Sequence, residues 1–313
     1  MRWAIGIDLG GTKTEAVVLD PAGQEHWRER IATPSAAGYN AVLQALVALV
    51  ERARQSVAQA GHGGSASIGV GGPGGLSTDG RIKNANTQCL NGQRLEDDLA
   101  TLLGQPVRYA NDANCLALSE ATDGAGRGAT VVFAAILGTG CGAGIAVGGR
   151  VLAGPNQLAG EWGHNPLPWA EASDPSPACY CGQTGCVETL CSGPAIAADH
   201  ASRHGGALSA LQIAQHAAAG DAHCRASLAR WQTRLARALA GVINLLDPDV
   251  IVLGGGLSRL ADTYAAVPAL WGRWVFAGGL REQVRTRLLP ALHGDASGVR
   301  GAAWLGRDQG LLA

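Results

Sequence analysis

The chain is poor in charge. Asp, Glu, Lys and Arg make up 16% of its 313 residues, against about 25% in an average globular protein. What charge there is balances, with 24 basic against 25 acidic residues and a net of -1. A main partner made of nucleic acid usually leaves a basic excess, so none is expected. No run of 18 apolar residues escapes polar interruption, so no membrane partner or span is expected either. The N-terminal MRWAIGIDLGG is no secretory signal, because Asp8 interrupts its apolar run after five residues. Neither GxxxxGK[ST] nor a GxGxxG after the first strand is present, which excludes the Walker and Rossmann fingerprints. No low-complexity linker divides the chain. With an ordinary 47% apolar content, such a chain buries a core, and disorder is excluded.

Glycine is in excess: 46 of 313 residues, about twice the usual share. The glycines follow no collagen period and cluster at strand ends, as loops do that bring backbone close to a ligand. At roughly 100–200 residues per domain, the length allows two or three domains. The hydrophobic pattern predicts strands at 3–8, 14–19, 26–32, 66–70 and 106–110, with helices over 38–60 and 95–103 and from about 113. It then restarts with strands at 130–137 and 143–147. Two helices are expected at 194–219 and 222–246, a buried strand at 249–253 and a last helix from about 299. Strands alternating with helices argue an α/β architecture. The strand–Asp–Leu–Gly–Gly–Thr–strand of the N-terminus resembles the strand–Leu–Gly–Thr–Gly–strand some 130 residues on, so two related halves are expected.

Asp8, Gly10, Gly11, Thr12, Lys13 and Thr14 join the first two strands. The glycines permit a tight turn whose N–H groups form a phosphate-binding nest. Thr12 and Thr14 offer hydroxyls and Lys13 a charge. Asp8, at a strand end, is placed to hold Mg²⁺ directly or through water. Gly138, Thr139, Gly140, Cys141 and Gly142 repeat the device, and Gly254, Gly255 and Gly256 close a third strand. Three such ends suit one nucleotide, two for phosphates and one beside adenosine.

Eight cysteines occur in a chain with no export signal, so a cytoplasmic location with reduced thiols is expected. Cys179, Cys181 and Cys186 fall within a glycine-bearing loop at C-x-C-x₄-C spacing, which reads as metal binding. Cys₃His is a standard structural zinc set. His164, in Gly-Glu-Trp-Gly-His, and Cys191 are rival fourth ligands. Asn111-Asp112 ends a strand and opens a helix, at the edge where open α/β sheets bind ligands. Asp112 reads either as a proton acceptor or as a helix N-cap.

GIDLGGTKT, NDAN, GTGCGAG, GEWGH and CYCGQTGCVE together resemble the ROK family of bacterial sugar kinases and sugar-responsive repressors, along essentially the whole chain. KNANTQCLNGQ and GEWGHNPLPW resemble the fructokinases among them. The resemblance implies an actin-like, ribonuclease-H-like two-domain α/β fold with ATP and sugar in an interdomain cleft. A small domain is expected over 1–115, with a C-terminal helix at about 300–313 packing back on it, and a large one over 116–299. Asp112 becomes the catalytic base. Asn111, Glu161, His164 and Glu188 surround the sugar, with Asn86 and the turn from Gly72 as further contacts. His164 joins Cys179, Cys181 and Cys186 on a structural Zn²⁺. ATP, Mg²⁺ and a hexose are then the small-molecule partners. Fructose is the expected acceptor, phosphorylated at the 6-hydroxyl, with mannose second; an N-acetylglucosamine or glucose kinase is the alternative. A repressor needs a DNA-binding module, for which a core starting at residue 3 leaves no room. The family's habit of pairing makes a homodimer the expected state, with Trp169 and Trp271–Trp274 as candidate patches.

Overall fold

The computed structural model describes residues 2–61, 66–277, 282–307 and 311–312. In chain order the elements are β1 (Trp3–Leu9), β2 (Lys13–Leu19), β3 (Glu25–Ala32), α1 (Tyr39–Gln59), β4 (Ala66–Gly72), β5 (Gly75–Leu76), β6 (Ile82–Lys83), α2 (Leu95–Leu103), β7 (Val107–Asn111) and α3 (Asp112–Thr122). They continue as β8 (Val131–Leu137), β9 (Cys141–Val147), β10 (Arg150–Leu152), α4 (Val187–Cys191), α5 (Gly193–His204), α6 (Ala210–Ala218), α7 (Ala222–Leu246), β11 (Val250–Gly254), α8 (Thr263–Trp271), β12 (Arg287–Pro290), α9 (Ser297–Leu305) and β13 (Leu311–Leu312). Among the described residues no helix is long and apolar enough to cross a membrane.

The chain forms two compact units. One comprises residues 1–128, 144–159 and 295–313, the other 129–143 and 160–294. A boundary at 115/116 therefore cuts α3, which stays whole in the first unit, and 144–159 returns to that unit as well.

The first unit is built on a five-stranded sheet, ordered β3-β2-β1-β4-β7. β1 is antiparallel to β2 and parallel to β4. Side chains alternate across a strand, and β1 shows why this matters. Trp3, Ile5, Ile7 and Leu9 point into a core shared with Val42, Leu46, Leu49 and Val50 of α1. The opposite face of β1 carries Ala4, Gly6 and Asp8, and there α9 lies on the sheet. A Cβ on Gly6 would stand 2.2 Å from the Val299 carbonyl oxygen, and one on Gly69 2.0 Å from that of Ala302. Gly301 returns the constraint: its Cβ would meet the Cys115 carbonyl oxygen of α3 at 1.7 Å. Helix and sheet thus touch backbone to backbone. Ser297 donates to Glu120 at 2.8 Å, and Arg300 pairs with Asp123 and donates to the Gly23 carbonyl. The expected terminal helix is this one, but it starts at Ser297 and ends at Leu305; 308–310 and 313 lie outside the described residues.

In the second unit β11 is parallel to both β8 and β12. β9 runs on past Ala143 into the first unit, where it pairs with β10. The second sheet has six strands, ordered β13-β10-β9-β8-β11-β12; apart from the short edge strand β13 this repeats β3-β2-β1-β4-β7, the duplication visible in the sequence. Two expectations change. The helix expected over 194–219 is two helices, because Gly205 and Gly206 both take positive φ and Ser209 with Gln212 caps a new start. Trp271 is no surface patch: it is buried, whereas Trp169 is half exposed.

Glycine-to-alanine changes at the α9 contact test this packing. Overpacking costs about 1–3 kcal/mol where side chains yield, and here the obstacle is backbone. Gly301→Ala is expected to lose more than ~3 kcal/mol of stability in denaturant unfolding. A loss below about 1 kcal/mol would show that α9 does not sit against α3 as described.

Candidate active site

In the first unit, Asp8 is the next-to-last residue of β1 and lies on its small-residue face. Its Oδ2 lies 3.5 Å from where a Cβ on Gly298 of α9 would be. Burial, then the charges of Asp112 and Glu15, push its pKa up to about 6, against the opposing pull of Lys13 and Arg30. Two carboxylates brought together while one is losing water make a site suited to a divalent cation. The following turn is held by its carbonyls. Thr33 donates through Oγ1 to Gly10 at 2.8 Å and through N–H to Thr12 at 3.0 Å, and Ser35 donates to Gly11 at 2.9 Å. Gly11, Thr12 and Lys13 remain exposed. Thr14 departs from expectation: its hydroxyl is buried and bonded to that of Thr33 at 2.7 Å, so it faces the core and offers nothing to a phosphate.

Beside this turn, a Cβ on Gly11 would stand 3.0 Å from the Thr87 hydroxyl, which puts the exposed Asn86 next to the loop. Asn91 clamps the preceding residue by bonding both backbone groups of Ala85 at 2.9 Å. Gly72 ends β4 under Tyr109, whose hydroxyl donates to Pro73 at 2.6 Å. The cap of α3 is Asn111, not Asp112: its Oδ1 accepts the Asn114 N–H at 2.7 Å. Asp112 is exposed, with Oδ1 2.8 Å from the Ala113 nitrogen. The N-cap reading of Asp112 falls with that observation.

In the second unit, the ligand atoms of His164, Cys179, Cys181 and Cys186 all lie within 4.8 Å of one another. Cys179 Sγ is 3.6 Å from His164 Nδ1, and Cys181 Sγ is 3.7 Å from Cys186 Sγ. A tetrahedral zinc with Zn–S of about 2.3 Å and Zn–N of about 2.0–2.1 Å has S···S edges of about 3.8 Å and S···N edges of about 3.6 Å. The donor set and its spacing fit that ion. Cys191 is not a member. It lies buried under Trp231, whose Nε1 donates to its carbonyl at 2.8 Å, and burial pushes its thiol up to about 12.

With Nδ1 turned to the donor cluster, His164 presents Nε2 outward, where the Tyr180 hydroxyl stands at 3.0 Å. Tyr180 is exposed, and partial loss of water, then the nearby charges of Glu188, Cys179 and Glu161, raise its pKa. His164 and Tyr180 are thus bonded to each other, with the carboxylates of Glu188 and Glu161 near enough for their charge to be felt at Tyr180. Tyr180 was missed from sequence, although its place between two ligand cysteines marks it. The Gly138–Gly142 loop lies against these residues, since Cys141 N–H donates to Glu188 at 3.0 Å. Gly254–Gly256 joins it from β11: a Cβ on Gly255 would stand 2.5 Å from the Leu137 carbonyl oxygen.

A duplicated five-strand order, glycine-rich strand ends and two strand-end carboxylates define an actin-like, ribonuclease-H-like α/β protein. Comparison places it further. The ROK family profile matches residues 4–309, and the chain belongs to that family. It is 38% identical over 316 aligned positions to N-acetyl-D-glucosamine kinase of Pectobacterium carotovorum, covering 96% of this chain and 97% of that one. Among solved structures it is similar to a ROK hexokinase from Thermus thermophilus, with TM-score 0.82, 31% identity and 96% of each chain covered. A ROK glucokinase from Streptomyces griseus, solved with glucose and AMPPNP, matches with TM-score 0.73 at 28% identity, over 97% of this chain and 99% of that one.

The crowding of carboxylates at Asp8 has a measurable consequence. An acid whose pKa rises on folding binds more protons in the folded state between its two pKa values. Metal-free protein should therefore lose stability as pH rises from about 4 to about 6 through this group. Asp8→Asn removes the penalty and should be more stable than the parent by about 1–3 kcal/mol at pH 7.5, the gap closing as pH falls through 6. Thermal unfolding across pH reads this. A variant less stable at pH 7.5 than at pH 5, relative to the parent, contradicts the crowding.

Proposed function

We propose that this protein transfers the γ-phosphoryl group of ATP to the 6-hydroxyl of a hexose, with N-acetyl-D-glucosamine as preferred acceptor. The observation that carries the reading is the likeness, over nearly its whole length, to a kinase of that sugar. It displaces fructose as first acceptor. The motifs shared with fructokinases surround the sugar residues without specifying the substituent at C2.

In this mechanism the acceptor oxygen attacks the γ-phosphorus, the bond to the bridging oxygen of ADP breaks, and Asp112 takes the hydroxyl proton. Its exposure leaves the carboxylate reachable, and the Asn111 cap fixes the first turn that carries it. Glu161, His164 and Glu188 pair with sugar hydroxyls, and Asn86, Asn111 and the Gly72 turn add contacts. Backbone N–H groups of the Gly10–Thr12 and Gly138–Gly142 loops receive phosphate oxygens, and Gly254–Gly256 lies beside the adenosine. Asp8 would hold Mg²⁺, which when bound neutralises phosphate charge. His164, Cys179, Cys181 and Cys186 would hold zinc, which when bound fixes the His164 ring so that Nε2 faces the sugar. Phosphoryl transfer leaves little covalent work to the protein, so positioning and charge dominate.

Asp112→Asn keeps the shape of the helix start and removes the base. General base catalysis is worth about 10²–10⁴-fold, so kcat should fall by at least about a hundredfold with acceptor affinity within about threefold. Turnover within threefold of the parent refutes the assignment. Coupled ADP detection across N-acetylglucosamine, glucose, mannose and fructose tests the acceptor. Expected is a kcat/KM at least about tenfold higher for N-acetylglucosamine than for fructose, a difference of about 1.4 kcal/mol. The reverse ranking restores the fructokinase reading.

A further inference from the structure

The Gly138–Gly142 loop is gripped by the segments that carry the sugar residues. Cys141 is held at both of its backbone groups. Its N–H donates to Glu188 Oε2 at 3.0 Å. Its carbonyl oxygen packs on Gly163, where a Cβ would come within 1.9 Å, and Gly163 lies next to His164. One residue earlier, a Cβ on Gly140 would stand 2.6 Å from the same Glu188 Oε2. At the loop's start, the Gly138 carbonyl accepts the Gly193 N–H at 2.7 Å. The two gripping segments are themselves joined, Val187 N–H donating to the Asn165 carbonyl at 2.9 Å.

These contacts put one carboxylate in two places. Glu188 stands on the segment bonded to the one that carries His164, its charge felt at Tyr180, and one of its oxygens sits on the Cys141 N–H of the Gly138–Gly142 loop. A charged acceptor on that N–H already fills a position an anionic phosphate needs, and two anions repel. A sugar hydroxyl donating to Glu188 disperses its charge and draws it from the loop.

We propose that Glu188 is the positioning residue that couples acceptor binding to nucleotide binding, holding the Cys141 N–H until a sugar hydroxyl engages it. The proposal rests on the kinase reading above. Coupling is then positive and reciprocal: sugar tightens nucleotide binding and nucleotide tightens sugar binding by the same factor. Gly140 must lack a side chain because Glu188 occupies its space, which makes a nucleotide-loop glycine a determinant of sugar affinity.

Calorimetry with a non-hydrolysable ATP analogue, with and without saturating N-acetylglucosamine, tests this. In the parent, sugar should tighten the analogue at least about fivefold, within the usual 5–150-fold range of such couplings. In Glu188→Gln the coupling should shrink to within twofold, and the analogue alone should bind more tightly than to the parent. A residue serving only the fold would not produce that gain. Gly140→Ala should weaken binding of sugar alone at least about fivefold, at unchanged zinc content. Equal analogue affinity with and without sugar in the parent, or full coupling in Glu188→Gln, overturns the proposal. A parent that binds none of the hexoses overturns the kinase reading instead. The analogue-only comparison then still judges the bridge, for unchanged or weaker analogue binding in Glu188→Gln refutes it.

Discussion

Four donor atoms converge within 4.8 Å of one another in the second unit. The stretch 165–190 carries four prolines and little regular structure. Its first half is held by ion pairs. Asp174 meets Arg234 at 2.9 Å and Arg237 at 2.7 Å, and Arg237 also donates to the Trp169 carbonyl at 2.7 Å. Buried pairs of this kind fix geometry more surely than they add stability. The second half is joined by two isolated bridges, Pro166 with Cys186 and Ala178 with Thr184, and by backbone bonds such as Leu167 N–H to Gly185 and Val187 N–H to Asn165. These bonds bring His164, Cys179, Cys181 and Cys186 together. Glu188 follows two residues after Cys186, the last of these four. His164 and Glu188 lie on the segments so joined, and Cys141 N–H donates to Glu188 at 3.0 Å.

Among the described residues of the first unit there is no such donor cluster. There the organising constraint is backbone contact, with Gly6, Gly69 and Gly301 letting α9 lie on β1, β4 and α3. The small-residue face that admits the helix is also the face on which Asp8 stands. Packing and chemistry therefore share residues: the strand that must be thin for α9 delivers a carboxylate into a crowded, partly dry setting. Such a group is unfavourable for folding and suited to a cation, a common relation at functional sites.

The signals that were local in sequence survived best. The alternation in WAIGIDL gave β1 and its terminal acid, and C-x-C-x₄-C gave the thiols of the donor set. Asn111-Asp112 was legible as a strand end, yet which of the two capped the helix was not, because either side chain suits the role. Thr14 was misjudged because its direction depends on pairing with β3, where Thr33 meets it. Cys191 stayed a rival ligand until Trp231, forty residues on, was seen above it. The Glu188–Cys141 bond spans 47 residues and leaves no periodic trace. The first unit gathers 144–159 and 295–313 with 1–128, a grouping that no local pattern records.

The central claim is that the metal donor set orders the acceptor site. Stripping the protein with a chelator, and following bound metal by elemental analysis and N-acetylglucosamine affinity by calorimetry, tests it most directly. Supporting residues around a metal are typically worth about 10–100-fold. Expected is about one zinc per chain before treatment, with acceptor affinity falling at least about tenfold after removal. Zinc returned to one equivalent should restore that affinity. Metal-free protein that binds the sugar as tightly as before would contradict the claim.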